Sequence, residues 1–158
     1  MSDSHAIDAL SYEQRKFPPS AEFKANAVVS DQSLYLEGER DFEGYWARHA
    51  RELISWSQPF TKTLEWDLPY AEWFSDGTLN VSYNCLDRHV LAGRGDKVAF
   101  YWEGEPGDSR VITYSQLLDE VQRFANVLKN LGIKKGDRVN IYLPMIPEAA
   151  VSMLACAR

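Results

Sequence analysis

Apolar and polar positions alternate with a helical period over three stretches of the chain and with a strand period over shorter ones. Asp41 stands as a helix N-cap, and Phe42, Tyr45, Trp46, His49, Ala50 and Leu53 follow at helical spacing. Trp56 and Pro59 close that stripe. Asp67-Leu68-Pro69-Tyr70 reads as loop. Trp73-Phe74-Ser75-Asp76-Gly77 reads as a tight turn, with Gly77 free to supply a positive φ. Leu79, Tyr83, Leu86 and Val90 then predict a helix over Asn80–Leu91, ended by Gly93-Arg94-Gly95-Asp96.

From Lys97 the period changes. Val98-Ala99-Phe100-Tyr101-Trp102 is short, apolar and β-prone, and Val111-Ile112 matches it across a Gly/Pro/Asp-bearing loop, which predicts a hairpin. Thr113-Tyr114-Ser115-Gln116 fits a capping box. Behind it Leu117, Val121, Phe124, Ala125, Leu128 and Leu131 form a buried helical face, with Gly132 just past its end. Gly136-Asp137 marks a turn, and Arg138–Leu143, with Val139, Ile141 and Leu143 on one face, predicts a strand that Pro144 stops. Pro147 opens a last helix, where its missing N–H costs nothing.

That last helix is apolar nearly all round, from Ala149 to Ala157. Such a helix is expected to be buried on most sides. No capping Gly or Asn follows before Arg158, and a strand–helix unit normally leads on to a parallel strand. The expectation is a chain cut inside a larger domain. Residues 1–33 carry no clear period; they read as a polar arm with a short helix near Ala21–Ala25. The fold class is therefore α/β: a helical and irregular, aromatic-rich N-terminal part followed by the first strands and helices of a larger domain.

Composition narrows the function classes. The net charge is −6, and the longest basic feature is Lys134-Lys135, so nucleic acid is not an expected partner. No apolar run reaches the ~20 residues that cross a bilayer, and no signal pattern opens the chain, so no membrane association and a cytoplasmic location are expected. Cys85 and Cys156 sit in apolar, helix-like context and read as free buried thiols.

Candidate chemistry is sparse. There is no phosphate loop and no dinucleotide fingerprint. His5, His49 and His89 are scattered, and Asp87, two residues from His89, does not face it on a helix. Asp87-Arg88-His89 reads as cations at a helix C-terminus with Asp87 pairing nearby. No Ser or Cys has a base beside it. Aromatic residues make up 13% of the chain, and Trp46, Trp56, Trp66, Trp73 and Phe74 read either as a packing layer or as a ligand cage or partner surface.

Leu79-Asn80-Val81-Ser82-Tyr83-Asn84-Cys85-Leu86-Asp87-Arg88-His89-Val90 is not explained by amphipathic patterning, because its polar positions are as particular as its apolar ones. It resembles a signature near the N-terminus of AMP-forming acetyl-coenzyme A synthetases. Tyr70–Thr78, Trp102–Arg110, Ile112-Thr113-Tyr114, Phe124–Leu128, Gly132–Val139, Tyr142–Glu148 and Leu154–Arg158 resemble further segments of that family and of the wider adenylate-forming superfamily. The resemblance runs from about residue 20 to 158.

The resemblance implies a ligase that activates acetate with ATP to acetyl-adenylate, aided by Mg²⁺, and passes the acetyl group to coenzyme A. It also implies that the family's phosphate loop, acyl pocket, coenzyme A arginines and catalytic lysine lie beyond Arg158. No catalytic, cofactor-binding or metal residue is therefore assigned in this chain. ATP, coenzyme A and Mg²⁺ belong to the parent enzyme; none is expected to bind these residues alone, which are expected to be inactive. The implied organisation is a polar arm over 1–33, an acetyl-coenzyme A synthetase extension over 34–91, and the start of the AMP-binding domain over 92–158, with the remainder of that domain supplied in cis or in trans. A propionate-specific relative, or a non-catalytic stand-alone or split-gene assembly module, is the alternative.

Overall fold

The computed structural model describes residues 16–158, which divide into two compact units between Arg40 and Asp41. The first unit holds two helices, α1 (Ala21–Ala25) and α2 (Ser33–Arg40). The Ser20 hydroxyl accepts from Phe23 N at 3.1 Å and so caps α1, the short helix expected from sequence. Helix α2 was not anticipated; Asp31 Oδ1 accepts from Ser33 N at 2.8 Å and starts it. The arm expected over 1–33 lies in part outside the described residues.

The second unit begins at α3 (Phe42–Leu53), where the Asp41 carboxylate accepts from Gly44 N at 3.0 Å. The N-cap is as the sequence predicts, but the buried face is rotated. Ala47 and Ala50 are buried, while Phe42 and Trp46 stay exposed. The small residues let Phe60 approach the helix closely, and large rings gather at the rim of that contact.

The loop expected over Asp67–Tyr70 is present at Leu68-Pro69, as the turn of a hairpin that was not expected. Strand β1 (Leu64–Asp67) pairs antiparallel with β2 (Tyr70–Trp73), with Asp67 opposite Tyr70 across Leu68-Pro69. Proline obscures the hairpin in the sequence, yet here it sits in the connection, where no ladder bond is needed. Gly77 N donates to Phe74 O at 2.9 Å, closing the tight turn. The positive φ of that turn falls on Phe74, at 53°, and not on Gly77. A Cβ on Gly77 would lie 2.7 Å from the Trp56 ring, so close packing, not backbone torsion, requires the glycine.

Residues 81–94 form helix α4, wound largely as π-helix over Tyr83–Asp87 and Val90–Arg94. It agrees with the predicted helix, and Gly93, at φ 76°, breaks the helical path at the predicted end. Strands β3 (Val98–Glu103) and β4 (Ser109–Thr113) then form the predicted hairpin, with Trp102 opposite Arg110 and a register shift between Val98 and Phe100. Thr113 and Gln116 complete the capping box of α5 (Tyr114–Asn130). At its other end Ile133 N donates to Leu128 O at 3.1 Å and Gly132 N to Lys129 O at 3.0 Å, a Schellman closure with Gly132 at φ 89°.

The last helix, α6 (Pro147–Ala157), packs on α5 through Val151, Ser152 and Ala155. The main core joins Leu86 of α4, Ile112 of β4, Leu117, Val121, Ala125 and Leu128 of α5, and Val151 and Ala155 of α6.

Four expectations are corrected. Residues 138–143 make no strand: the β3–β4 hairpin pairs only with itself, and without a ladder partner an alternating sequence is not a strand. Leu131, placed on the buried face of α5, is 74% exposed, because the helix turns away at Gly132. Helix α6 buries one face, not most of its surface; Met153 is 59% exposed. Cys85 and Cys156 are both free, but both are exposed, each turned about 100° around its helix from the core residue next to it, Leu86 or Ala155.

Candidate functional site

The most densely bonded polar site among the described residues of the second unit lies along α4. It follows from an obligation that every helix carries. The last four carbonyls of a helix have no partner within it. Helix α3 ends at Leu53, and two side chains from outside α3 take up its free carbonyls. Trp56 Nε1 donates to Ala50 O at 2.8 Å, and Arg88 Nη1 donates to Leu53 O at 2.7 Å.

Asn84 holds the chain just beyond that end. Its Oδ1 accepts from Ser55 N at 2.8 Å, and its Nδ2 donates to Ser55 O at 2.9 Å and to Asn80 O at 3.0 Å. One amide thus satisfies both backbone groups of Ser55, as a neighbouring strand would. No other uncharged side chain has that donor and acceptor pair except Gln, whose extra methylene would misplace it.

Helix α6 is held from the same helix and from Asn80, the residue just before α4. Asn80 Nδ2 donates to Ala157 O at 2.8 Å, while Asn80 Oδ1 accepts from Tyr83 N at 2.9 Å. Arg158 forms a fork on Asp87, with Nη1 to Oδ2 at 2.7 Å and Nη2 to Oδ1 at 2.8 Å. The two side chains are only 26% and 15% exposed. Hydrogen bonding from Arg158, with its charge, holds the Asp87 carboxyl below the usual carboxylate range and raises Arg158 further.

Asp87, Arg88 and His89 are adjacent in sequence and serve three separate partners. Asp87 takes Arg158, Arg88 takes Leu53 O, and the His89 ring lies edge-on to Tyr114 at 5.5 Å. Burial, then the charges of Arg94, Arg88 and Lys97, pushes the His89 imidazole below its ordinary value. The His89 ring meets Tyr114, whereas Asp87 is taken up by Arg158. The three do not converge on a point where a reacting atom could sit.

The five aromatic residues singled out in the sequence do not form one cage. Trp46 and Trp73 meet Phe42 at 6.5 and 5.6 Å, while Trp56 and Phe74 meet Phe60 at 5.0 and 4.4 Å. Trp73 and Phe74, at 5.6 Å, join the two sets. Trp66 is exposed.

An open cleft of about 560 Å³ lies beside the polar site, lined by Ser55, Trp56, Tyr83, Asp87, Lys129 and Arg158 among others. Among the described residues no three His, Cys, Asp or Glu side chains gather as metal donors, so they do not fit a Mg²⁺ site and no step is placed on that ion. No described helix is long and apolar enough to cross a membrane.

Sequence reasoning noted that Asp87 would pair nearby and missed Arg158 as its partner. It also missed Asn80, Asn84 and Ser55. A signal was present: two asparagines at i and i+4 share one helical face, and unmatched helix ends elsewhere in the chain need amide partners.

Residues 31–85 match the family described as acetyl-coenzyme A synthetase N-terminus, and residues 86–158 match the family described as AMP-binding enzyme. The chain is 57% identical over 156 residues to acetyl-coenzyme A synthetase of Streptomyces avermitilis, covering 98% of this chain and 24% of that protein. It is 57% identical over 144 residues to the enzyme of Mycolicibacterium smegmatis, covering 90% and 15%. With that of Paraburkholderia phymatum it shares 52% over 158 residues, covering 97% and 24%. The chain thus spans about a quarter or less of the length of these relatives. On two adjoining family matches and identities above one half, the chain belongs to the acetyl-coenzyme A synthetase family and corresponds to its N-terminal portion.

Proposed function

We propose that this chain is the N-terminal scaffold of an AMP-forming acetate–coenzyme A ligase. The observation that carries it is the 57% identity to an acetyl-coenzyme A synthetase across 98% of the chain. The parent reaction joins acetate to ATP as acetyl-adenylate with release of pyrophosphate, and coenzyme A thiol then displaces AMP. Mg²⁺ and positive charge would stabilise the phosphoryl groups, from residues outside this chain. Residues 34–91 would be the family's extension and 92–158 the start of its AMP-binding domain, with 1–33 a polar arm.

In this reading the residues along α4 are scaffold, and none touches substrate. The engagement of Asn84, Asp87 and Arg88 with Ser55, Arg158 and Leu53 of the chain itself supports it. The reading is tested by acetate-dependent ATP–pyrophosphate exchange in two preparations. The isolated chain is expected to show none. A chimera with the remaining residues of the Streptomyces avermitilis relative fused after Arg158 is expected to exchange. Exchange by the chain alone, or a folded chimera without exchange, contradicts the assignment.

A further inference from the structure

We propose that α4 is a coupling element that makes the two cores of residues 41–158 open as one. The smaller core consists of Ala47, Ala50 and Phe60, with Trp56 and Phe74 packed against it. The larger one is built on α5 and α6. They share no buried residue. Helix α4 is packed into the larger core and hydrogen-bonded to the edge of the smaller. Leu86, 1% exposed, is sealed in the larger core, while Asn84 and Arg88 on the same helix grip Ser55 and Leu53 at the edge of the smaller one. From just before its start and from its middle, Asn80 and Asp87 hold Ala157 and Arg158.

A cluster of three buried residues is too small to be an independent cooperative unit. Its order must come from something already ordered. Asn84 and Arg88 supply that link, because their backbone is fixed by Leu86 and their side chains end on backbone groups left unpaired by the end of α3. If α4 leaves the larger core, Ser55 and Leu53 lose their partners. If the smaller core opens, the Arg88 head group and the Asn84 amide lose theirs. Each core therefore biases the other through bonds that can be removed singly, and this is coupling in the thermodynamic sense. It also accounts for the polar residues of the Leu79–Val90 signature without assigning any of them chemistry.

Native-state hydrogen exchange followed by mass spectrometry tests it on the 158-residue chain. In the unmodified chain the amides of α3 and α5 are expected to share one protection level, within about threefold. Thr113→Ala, which removes the cap of α5 and none of the bonds made by Asn84 and Arg88, is expected to lower both together. Asn84→Ala is expected to separate them, with α3 losing at least tenfold in protection and α5 less than threefold. Separate levels or no protection in the unmodified chain overturn the proposal, as does Asn84→Ala lowering both by one factor or neither.

Discussion

The two cores of residues 41–158 are built on opposite principles. The larger is aliphatic and periodic: Leu117, Val121, Ala125 and Leu128 repeat along α5 and meet Val151 and Ala155 of α6. Its stability follows from apolar area removed from water, which needs only the right residues at the right spacing. The smaller core is held by ring edges and by polar locks. Asp76 accepts from Thr61 N at 3.0 Å and Lys62 N at 3.1 Å, and its Oδ2 accepts from Thr61 Oγ1. Glu65 accepts from Lys62 and from Ser75. A periodic core tolerates small changes by repacking, whereas a core made of locks fails one lock at a time.

The largest expected effect lies in the periodic core. Leu117→Ala removes a side chain only 2% exposed and is expected to cost about 3 kcal/mol, read by urea denaturation. A cost below about 1 kcal/mol would mean that the core repacks freely. Next comes the link. Asn84→Ala leaves both backbone groups of Ser55 unpaired and is expected to cost about 2 kcal/mol, felt at residues 42–60. A smaller loss follows from Thr113→Ala, about 1 kcal/mol for a cap whose hydroxyl accepts from Gln116 N.

The smallest effect is a pH dependence confined to the locked core. Hydrogen bonding from the Thr61 hydroxyl, then from the Lys62 and Thr61 amides, lowers the Asp76 carboxyl from 3.8 to about 2. A folded-state value below the unfolded one means that the carboxylate's contribution is fully present above about pH 4 and is lost as pH falls through 2. Asp76→Asn is expected to remove that acid sensitivity, measured as exchange at Thr61 and Lys62 between pH 5 and 2. An unchanged profile in the variant would assign the sensitivity to another group.

The same contrast decides what could be read from sequence. The capping box at Thr113, the buried face of α5 through Leu128 and the β3–β4 hairpin all follow local rules, and all are present. Leu68-Pro69 was legible as a loop, but the β1–β2 strands that flank it were not read: the apolar–polar alternation of Leu64-Glu65-Trp66-Asp67 is only four residues long, and both strands stay almost wholly exposed, so no core face marks them. The stripe on α3 named the correct helix and the buried Ala50, but missed Ala47 and placed Phe42, Trp46 and Leu53 inside. Its large rings point to a rim, and the alanines that carry the contact have little hydrophobic weight in a pattern. Residues 138–143 alternate as a strand should, but pairing is not local and the partner is not among the described strands. At the polar site, Asp87-Arg88-His89 suggested one cluster. The structure sends each residue to a different partner, two of them distant in sequence, Leu53 and Arg158. Only the resemblance identified the stretch, and it did so without indicating what the polar residues bond.

The claim that α4 binds the two cores into one unit is tested most directly by disturbing the larger core and observing the smaller. Hydrogen exchange in Leu117→Ala should show the α3 amides losing protection by the same factor as those of α5, although Leu117 lies in a different core from α3. Unchanged protection in α3, with α5 weakened, would contradict the account.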